Sequence, residues 1–257
     1  MGLKHKMIAF FANTYLKLKS PEERIVRLIL DCSIKDISEN IIFPATPFYV
    51  KQIVKHFKAK KKGDIIYKIP GYDAIIVPSG IGAPSAAMYI EALRRANIKR
   101  ILRIDFAGSL SKEVGPGKFF IPEKAILADG TSRAYLPNRE YGYPSKDLLD
   151  MIKKVLKKLG FEYKTGTIYS HDLLFLEDPE LIEHMVSKGA KAVDMETGLV
   201  YALGELFKID VVALLIITNY ALEGIEKEIS SIESSFFEGI DKSLLFLKYF
   251  LLEMSEL

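Results

Sequence analysis

Residues 74–96 read AIIVPSGIGAPSAAMYIEALRRA, and this stretch decides the fold. Its first four residues are apolar and mostly β-branched, which is typical of a short buried strand. Gly80 and Gly82 then allow a turn with backbone conformations that other residues rarely adopt. From Pro84 to about Ala96 the apolar residues recur at helical spacing, and Pro84 suits a first helical turn. A strand, a glycine turn and a helix in this order are the repeating unit of an α/β fold.

The same alternation continues through the chain and predicts an α/β fold with a mainly parallel or mixed sheet. Predicted strands cover residues 41–43, 74–77, 100–104, 119–121, 125–127, 164–169, 190–193 and 211–217. One predicted helix begins at Pro21, and the others cover residues 50–57, 84–96, 146–159, 179–188, 196–207 and about 229–253. No linker or internal repeat interrupts the pattern. We therefore expect a single domain over residues 1–257, with an N-terminal extension (1–40) and a core (41–253).

The composition is that of a globular protein and narrows the choice of partner. The chain has 257 residues, of which 49% are hydrophobic, with 36 Lys and Arg against 33 Asp and Glu. A net charge of +3 is too small to indicate a nucleic acid or an acidic membrane as partner. The longest apolar runs, such as residues 211–217, fall far short of the roughly 18 residues that a spanning helix needs.

Cysteine and histidine usage argues against disulfide and metal chemistry. Cys32 is the only cysteine, so neither an intrachain disulfide nor a cysteine-based zinc site can form. The histidines show no metal-ligand spacing, and no metal is predicted. This usage fits a reducing cytoplasm, where we expect the protein. The lack of tryptophan and the many Lys, Glu and Ile residues are typical of proteins adapted to heat.

Ligands of open α/β sheets bind at the carboxyl ends of strands, so the residues that directly follow the apolar runs are candidates. The loop Gly80-Ile81-Gly82 brings backbone N–H groups to a helix N-terminus, which favours an anion or a hydroxyl. A tight turn without a ligand is the alternative. Arg103 lies inside an apolar strand, and a buried guanidinium needs an anion. That anion is either a ligand or an internal carboxylate, Asp105 or another.

Two carboxylates mark the junction of a strand and a helix at Asp194-Met195-Glu196. Asp194 fits a residue that complements the helix dipole. Glu196 is placed to accept hydrogen bonds from two neighbouring hydroxyls of a sugar. Thr218 and Asn219 also follow a buried strand, and a cap of the next segment is the alternative there. For His171 and Asp172 a helix cap is the favoured interpretation.

In this order, four segments resemble the nucleoside phosphorylase family of the uridine phosphorylase and hexameric purine nucleoside phosphorylase type. They are Ser79–Ser85, Leu102–Ile104 with Gly108, Asp129–Ser132 with Pro137, and Val193–Glu196. The third segment is most similar to the uridine branch. The resemblance implies a three-layer α/β/α fold around a mixed, partly closed sheet. It also implies cleavage of the N-ribosidic bond of a purine or pyrimidine nucleoside by phosphate, in nucleoside salvage.

The resemblance also implies roles by position. Arg103 would hold phosphate, Glu196 would bind the ribose 2′ and 3′ hydroxyls, and Asn219 would lie at the edge of the base. These three residues are the candidate catalytic residues. The candidate substrate-binding residues are Gly80, Ile81, Gly82, Asp105, Phe106, Ala107, Gly108, Leu174, Asp194, Met195, Glu196, Thr218 and Asn219. Phosphate is the co-substrate and no other cofactor is implied. Family members are homo-oligomers, so a dimer or hexamer is expected.

Several positions depart from the family pattern. An arginine that follows Gly-Asp-Pro in the family's first loop is replaced here by Tyr49. The glycine and the Ser or Thr that contact phosphate in the family are Asp105 and Phe106 here. The purine branch uses an aspartate as general acid where this chain has Asn219, and Asp178 and Asn219 correspond to the uracil-reading Gln and Arg.

These departures leave three hypotheses open. The first is phosphorolysis, with uridine-type substrates favoured. The second keeps the fold but replaces phosphate with water, and Asp105 is then a candidate base near the sugar. An acidic group beside Arg103 repels a phosphate dianion. The third is a nucleoside-binding relative without turnover.

Overall fold

One mixed sheet runs through the described residues, 3–221 and 234–255, of the computed structural model. Its strands are β1 Asn40–Ile42, β2 Lys60–Lys62, β3 Ile66–Lys68, β4 Ala74–Ile76, β5 Arg100–Ser109, β6 Phe119–Leu127, β7 Tyr141–Gly142, β8 Tyr163–Ser170, β9 Ala190–Asp194 and β10 Asp210–Tyr220. The helices are α1 Leu3–Lys17, α2 Pro21–Leu30, α3 Pro47–Phe57, α4 Ala83–Arg94, α5 Gly130–Tyr135, α6 Lys146–Leu159, α7 Pro179–Ser187, α8 Thr197–Phe207 and α9 Ser234–Met254.

Part of the sheet closes on itself. Around the ring, β5 pairs with β10, β10 with β6, β6 with β8, β8 with β9, and β9 with β5 again. Strands β1, β4, β3 and β2 continue outward from β5 as an open arm. Closure leaves the ring strands without free edges. The predicted mixed, partly closed sheet is therefore confirmed.

Side-chain alternation along the strands builds two cores, one on each face of the sheet. In β10, Val211, Ala213, Leu215 and Ile217 pack in the core that contains α2, α4 and α8. The intervening Val212, Leu214 and Ile216 pack in the core that contains α3, α6 and α9. A strand buried on both faces explains the continuous apolar run at 211–217. The three-layer α/β/α prediction is confirmed.

Most predicted elements are present, with some differences in extent. The runs at 119–121 and 125–127 belong to one strand, β6, whose pairing with β8 shifts register between Pro122 and Lys124. Proline lacks the N–H that a regular ladder requires there, so the sequence shows two pieces. The last helix was predicted from about residue 229. Residues 229–233 lie outside the described part of the chain, and α9 is described from Ser234.

The second helix of the N-terminal extension packs in the core. Ser20 caps α2 by accepting a hydrogen bond from the Glu23 N–H at 3.1 Å. Val26 and Leu30 of α2 are fully buried in the same cluster as Ile90 of α4. No helix within the described ranges is long and apolar enough to cross a membrane.

Tyr49 joins α3 to α9 in the second core. Its hydroxyl lies 2.5 Å from the Ser243 Oγ, and the Ser243 hydroxyl donates to the Ile240 carbonyl at 2.6 Å. Tyr49 is therefore the donor of this pair. Its ring lies 5.1 Å from that of Phe106, and burial raises the pKa of the Tyr49 phenol. The residue that replaces the family's arginine is thus a core residue.

The hydrogen bond between Tyr49 and Ser243 predicts that mutation of the two residues changes the free energy of unfolding by different amounts. Ser243→Ala leaves the buried Tyr49 hydroxyl without its acceptor and should lower the free energy of unfolding by about 1–3 kcal/mol. Tyr49→Phe should cost less, because Ser243 keeps its bond to Ile240. Urea denaturation measures both, with the exposed Ser255→Ala as control. Equal stability of Ser243→Ala and the unmodified protein would contradict this assignment.

Candidate active site

A cavity of about 220 Å³ opens where β5, β8, β9 and β10 end. Most of the residues expected from the sequence line it: Ile81, Arg103, Asp105, Phe106, Ala107, Gly108, Leu174, Asp194, Met195, Glu196, Thr218 and Asn219. The wall also includes residues that sequence reasoning did not select: Ala45, Thr46, Glu177, Val193 and Ala221. Gly80 and Gly82 are not among the lining residues.

Arg103 is the centre of a buried ionic network, with 1% of its surface exposed. Its Nη2 donates to Asp194 Oδ2 at 3.0 Å and to Glu196 Oε2 at 2.6 Å. Its Nε donates to the Thr197 hydroxyl at 3.0 Å. Burial disfavours the charge, but the carboxylates of Glu196 and Asp194 outweigh it and raise the pKa of Arg103. The buried guanidinium is therefore neutralised within the protein.

Asp194 connects this network to two elements. Its Oδ1 accepts from the Ser170 hydroxyl at 2.6 Å, at the end of β8. Its Oδ2 accepts from the Thr197 N–H at 3.0 Å, at the start of α8. Asp194 thus complements the dipole at the start of α8, as its position predicted, and also holds Arg103. Its Oδ2 also accepts from Arg103 and from the Thr197 hydroxyl, so Asp194 serves the site by positioning other groups.

Glu196 connects Arg103 to the glycine loop. Its Oε1 accepts from the Gly82 N–H at 2.6 Å, and Gly82 has a φ of +91°. Gly80 has a φ of +65°, and a Cβ there would lie 2.4 Å from the Ser85 Oγ. Both glycines are required by the loop that presents this N–H. The loop therefore holds Glu196 through the Gly82 N–H, and the direct ligand contact expected of Gly80 and Gly82 stays a prediction.

The ionisation of Glu196 is set by competing effects. Burial raises its pKa to about 7, although Arg103 favours the charged form. Asp194 and Asp105 add negative charge nearby and raise the pKa further. A carboxyl in this range changes protonation near neutral pH.

Asp105 is not paired with Arg103, contrary to one of the expectations. Its Oδ2 accepts from the N–H groups of Ala45 and of Thr46, the latter at 2.8 Å. Its Oδ1 accepts from the Phe106 N–H at 2.9 Å. These bonds fasten the loop between β1 and α3 to the end of β5. The alternative in which another carboxylate neutralises Arg103 is the one observed.

At the end of β10, the half-buried Asn219 lines the cavity. Its Oδ1 accepts from the Thr218 hydroxyl, which also lies 3.3 Å from the Ala107 carbonyl. Its Nδ2 is buried and has no hydrogen-bond acceptor among the described residues. The segment that these residues would cap, 222–233, lies outside the description. An unsatisfied buried donor beside a cavity is available to a ligand.

Glu177 and His171 form a buried pair that the sequence did not reveal. His171 Nε2 lies 2.8 Å from Glu177 Oε1, and the Leu173 N–H donates to His171 Nδ1 at 3.4 Å. Nδ1 is thus an acceptor, so Nε2 carries the proton and donates to Glu177. Glu177 lines the cavity, whereas His171 lies behind it in the buried pair and does not cap a helix.

The neighbouring acidic residues serve as helix caps. Asp172 accepts from the Gly130 N–H at the start of α5, as a helix cap does, while the N-cap residue of that helix is Asp129. Asp178 accepts from the Leu181 N–H and caps α7. It does not line the cavity, so the position expected to read a base is occupied by a capping residue.

The charge of the wall is predominantly negative. Within the described ranges, Arg103 is the one Lys or Arg side chain in the wall, against the carboxylates of Asp105, Glu177, Asp194 and Glu196. No cluster of three or more His, Cys, Asp or Glu in this part of the chain is arranged to hold a metal ion. The site is suited to a neutral polar ligand or to one that develops positive charge.

Comparison with known proteins agrees with this geometry. The family model of the phosphorylase superfamily matches residues 39–246. A DeoD-type purine nucleoside phosphorylase of Lactococcus lactis is 28% identical over 202 residues, covering 74% of this chain and 84% of that protein.

Solved structures share the fold. A uridine phosphorylase from Vibrio fischeri superposes with a TM-score of 0.74 at 23% identity, over 86% of this chain and 93% of that one. An AMP nucleosidase from Bacteroides thetaiotaomicron gives a TM-score of 0.70 at 25% identity, over 86% and 98%. The chain therefore belongs to the phosphorylase superfamily, the enzyme superfamily of nucleoside phosphorylases and nucleosidases.

Proposed function

We propose that this enzyme cleaves the N-ribosidic bond of a nucleoside with water as the acceptor. The observation that carries the proposal is the neutralisation of Arg103 by Asp194 and Glu196, at 3.0 and 2.6 Å. A phosphate dianion binds where positive charge is in excess, and this wall has an excess of negative charge. The likeness to an AMP nucleosidase is consistent with this choice.

The same negative charge favours bond cleavage. The ribosyl group becomes oxocarbenium-like as the C1′–N bond breaks, and fixed negative charge stabilises that transition state. Glu196 would accept hydrogen bonds from the 2′ and 3′ hydroxyls, with Met195 against the sugar. Its network with Arg103 and Gly82 holds the carboxylate in place before the substrate arrives.

The strand order gives the cavity two ends. In the sheet, β9 and β5 lie between β8 and β1. Glu177 follows β8 and Thr46 follows β1, and we therefore place the two on opposite sides of the cavity. We assign the base to the Glu177 side, where the carboxylate would accept an N–H of the base and Asn219 Nδ2 would donate to it.

The acceptor water then belongs on the Thr46 side, beside Asp105. A carboxylate has about four acceptor positions, and backbone N–H groups occupy three of those on Asp105. The remaining position would orient the water. The water oxygen bonds to C1′ as the C1′–N bond breaks, one of the two water protons passes to Asp105, and the electron pair of the broken bond leaves with the base.

A second candidate is phosphorolysis, with inorganic phosphate as co-substrate on Arg103. It is favoured by one atom, Arg103 Nη1, which is buried without an acceptor among the described residues. Both reactions fit nucleoside salvage in the cytoplasm and need no other cofactor.

We also propose a homo-oligomer, a dimer or hexamer. Large apolar side chains near the cavity are exposed in the isolated chain, namely Ile81 at 63%, Phe175 at 79% and Leu176 at 64%. A second copy covering them would enclose the site.

The acceptor is tested with a panel of purine and pyrimidine nucleosides, incubated with and without phosphate. We expect free base to be released at a rate that does not depend on phosphate, because water is the proposed acceptor. Chromatography of the base measures the rate. Base release that requires phosphate would favour phosphorolysis. No base release from any nucleoside would refute both reactions and favour a nucleoside-binding protein without turnover.

The pKa of Glu196 gives the reaction a pH dependence. We expect kcat/KM to rise as pH increases through about 7, because only the carboxylate form accepts both sugar hydroxyls. Glu196→Gln should lower kcat/KM about 10²-fold, the loss expected for charge-assisted hydrogen bonds. Glu205→Gln, an exposed change on α8, is the matched control. A flat profile between pH 5 and 9 (roughly the range in which such a group titrates) would refute this role.

A further inference from the structure

Asp105 occupies a site with the chemistry of an oxyanion hole. The N–H groups of Ala45 and Thr46 converge on its Oδ2, and the Phe106 N–H donates to its Oδ1. Thr46 is the N-cap of α3, a helix of 11 residues, so the Ala45 and Thr46 N–H groups lie at the positive end of a helix dipole, and the Phe106 N–H belongs to β5. Convergent backbone N–H groups at a helix N-terminus are a general binding site for anions.

A second group in the same wall lacks an acceptor. Arg103 is 1% exposed and lines the cavity with Asp105, and its Nη1 has no hydrogen-bond partner among residues 3–221 and 234–255. The charge of Asp105 also acts on the guanidinium electrostatically. Three backbone donors thus bind the Asp105 carboxylate, and a guanidinium N–H group without an acceptor among the described residues lies in the same cavity wall.

We infer that Asp105 is an internal anion that fills a site suited to a tetrahedral oxyanion, and so selects water over inorganic phosphate as the acceptor. The carboxylate satisfies the backbone donors that an external oxyanion would use. Its charge also repels such a ligand. The selection of an acceptor rests on the proposed function, but occupancy of the oxyanion site does not.

Removal of the carboxylate should open the site. In Asp105→Ala the N–H groups of Ala45, Thr46 and Phe106 lose their acceptor, and one negative charge beside Arg103 disappears. An external oxyanion would then restore the lost hydrogen bonds. Asp105→Asn removes the charge but keeps an acceptor oxygen and fills the space, so it should keep the site closed.

The test is calorimetric titration of inorganic phosphate into the full-length protein and its variants at constant ionic strength. We expect Asp105→Ala to bind phosphate at least about tenfold more tightly than either the unmodified protein or Asp105→Asn. Asp172→Ala is the matched control, since Asp172 also accepts a backbone N–H but does not line the cavity. Equal phosphate affinity of Asp105→Ala and the unmodified protein would overturn the inference.

Two further readouts separate possible failures. If thermal melting shows that Asp105→Ala is unfolded, Asp105→Ser takes its place, and we expect the same gain in phosphate affinity. Equal phosphate affinity of Asp105→Ser and the unmodified protein would overturn the inference. Binding is measured without turnover. A gain of phosphate binding in Asp105→Ala, together with no base release by the unmodified protein, would therefore refute the proposed function while supporting the internal anion.

Discussion

The site depends on one constraint, the burial of a guanidinium inside a closed sheet. Arg103 lies on β5 with 1% exposure, and a charge in that position must be neutralised within the protein. Asp194 and Glu196 do so from the end of β9 and the start of α8, and each has a second partner of its own. Asp194 reaches Ser170 on β8, and Glu196 reaches the Gly82 N–H. A single ionic network therefore fixes the relative positions of three strand ends and the glycine loop.

This constraint also limits the chemistry. Because the guanidinium is already paired, the wall offers little positive charge to a dianion but several fixed acceptors to a sugar. Glu177 and Asn219 add an acceptor and a donor at the side assigned to the base. The same fold serves phosphorylases and nucleosidases in this superfamily, so the local charge, and not the architecture, is the feature that we expect to choose between acceptors.

Much of this arrangement was predictable from the sequence, because the strand ends carry the polar residues. Arg103, Asp105, Glu196 and Asn219 each follow or interrupt an apolar run, and all four line one cavity. The pairing among them was not predictable. Arg103 and Asp105 are two residues apart on one strand and share a face, which favours an internal pair. Whether the loop N–H groups or the guanidinium reach Asp105 depends on how β1 and α3 pack against β5.

Glu177 was missed for a different reason. It follows a short 3₁₀ turn, where neither helical nor strand periodicity marks a buried side chain. Its burial depends on His171, six residues earlier, folding back on it. Likewise, the glycines of residues 80–82 predicted a ligand-binding turn. Only the structure shows that the Gly82 N–H donates to Glu196.

The group that replaces the base on C1′ distinguishes hydrolysis from phosphorolysis. The mass of the sugar product, formed from a substrate nucleoside in the presence of phosphate, identifies that group directly. We expect free pentose, because water attacks C1′. Pentose 1-phosphate as the main product would show that phosphate, and not water, is the acceptor.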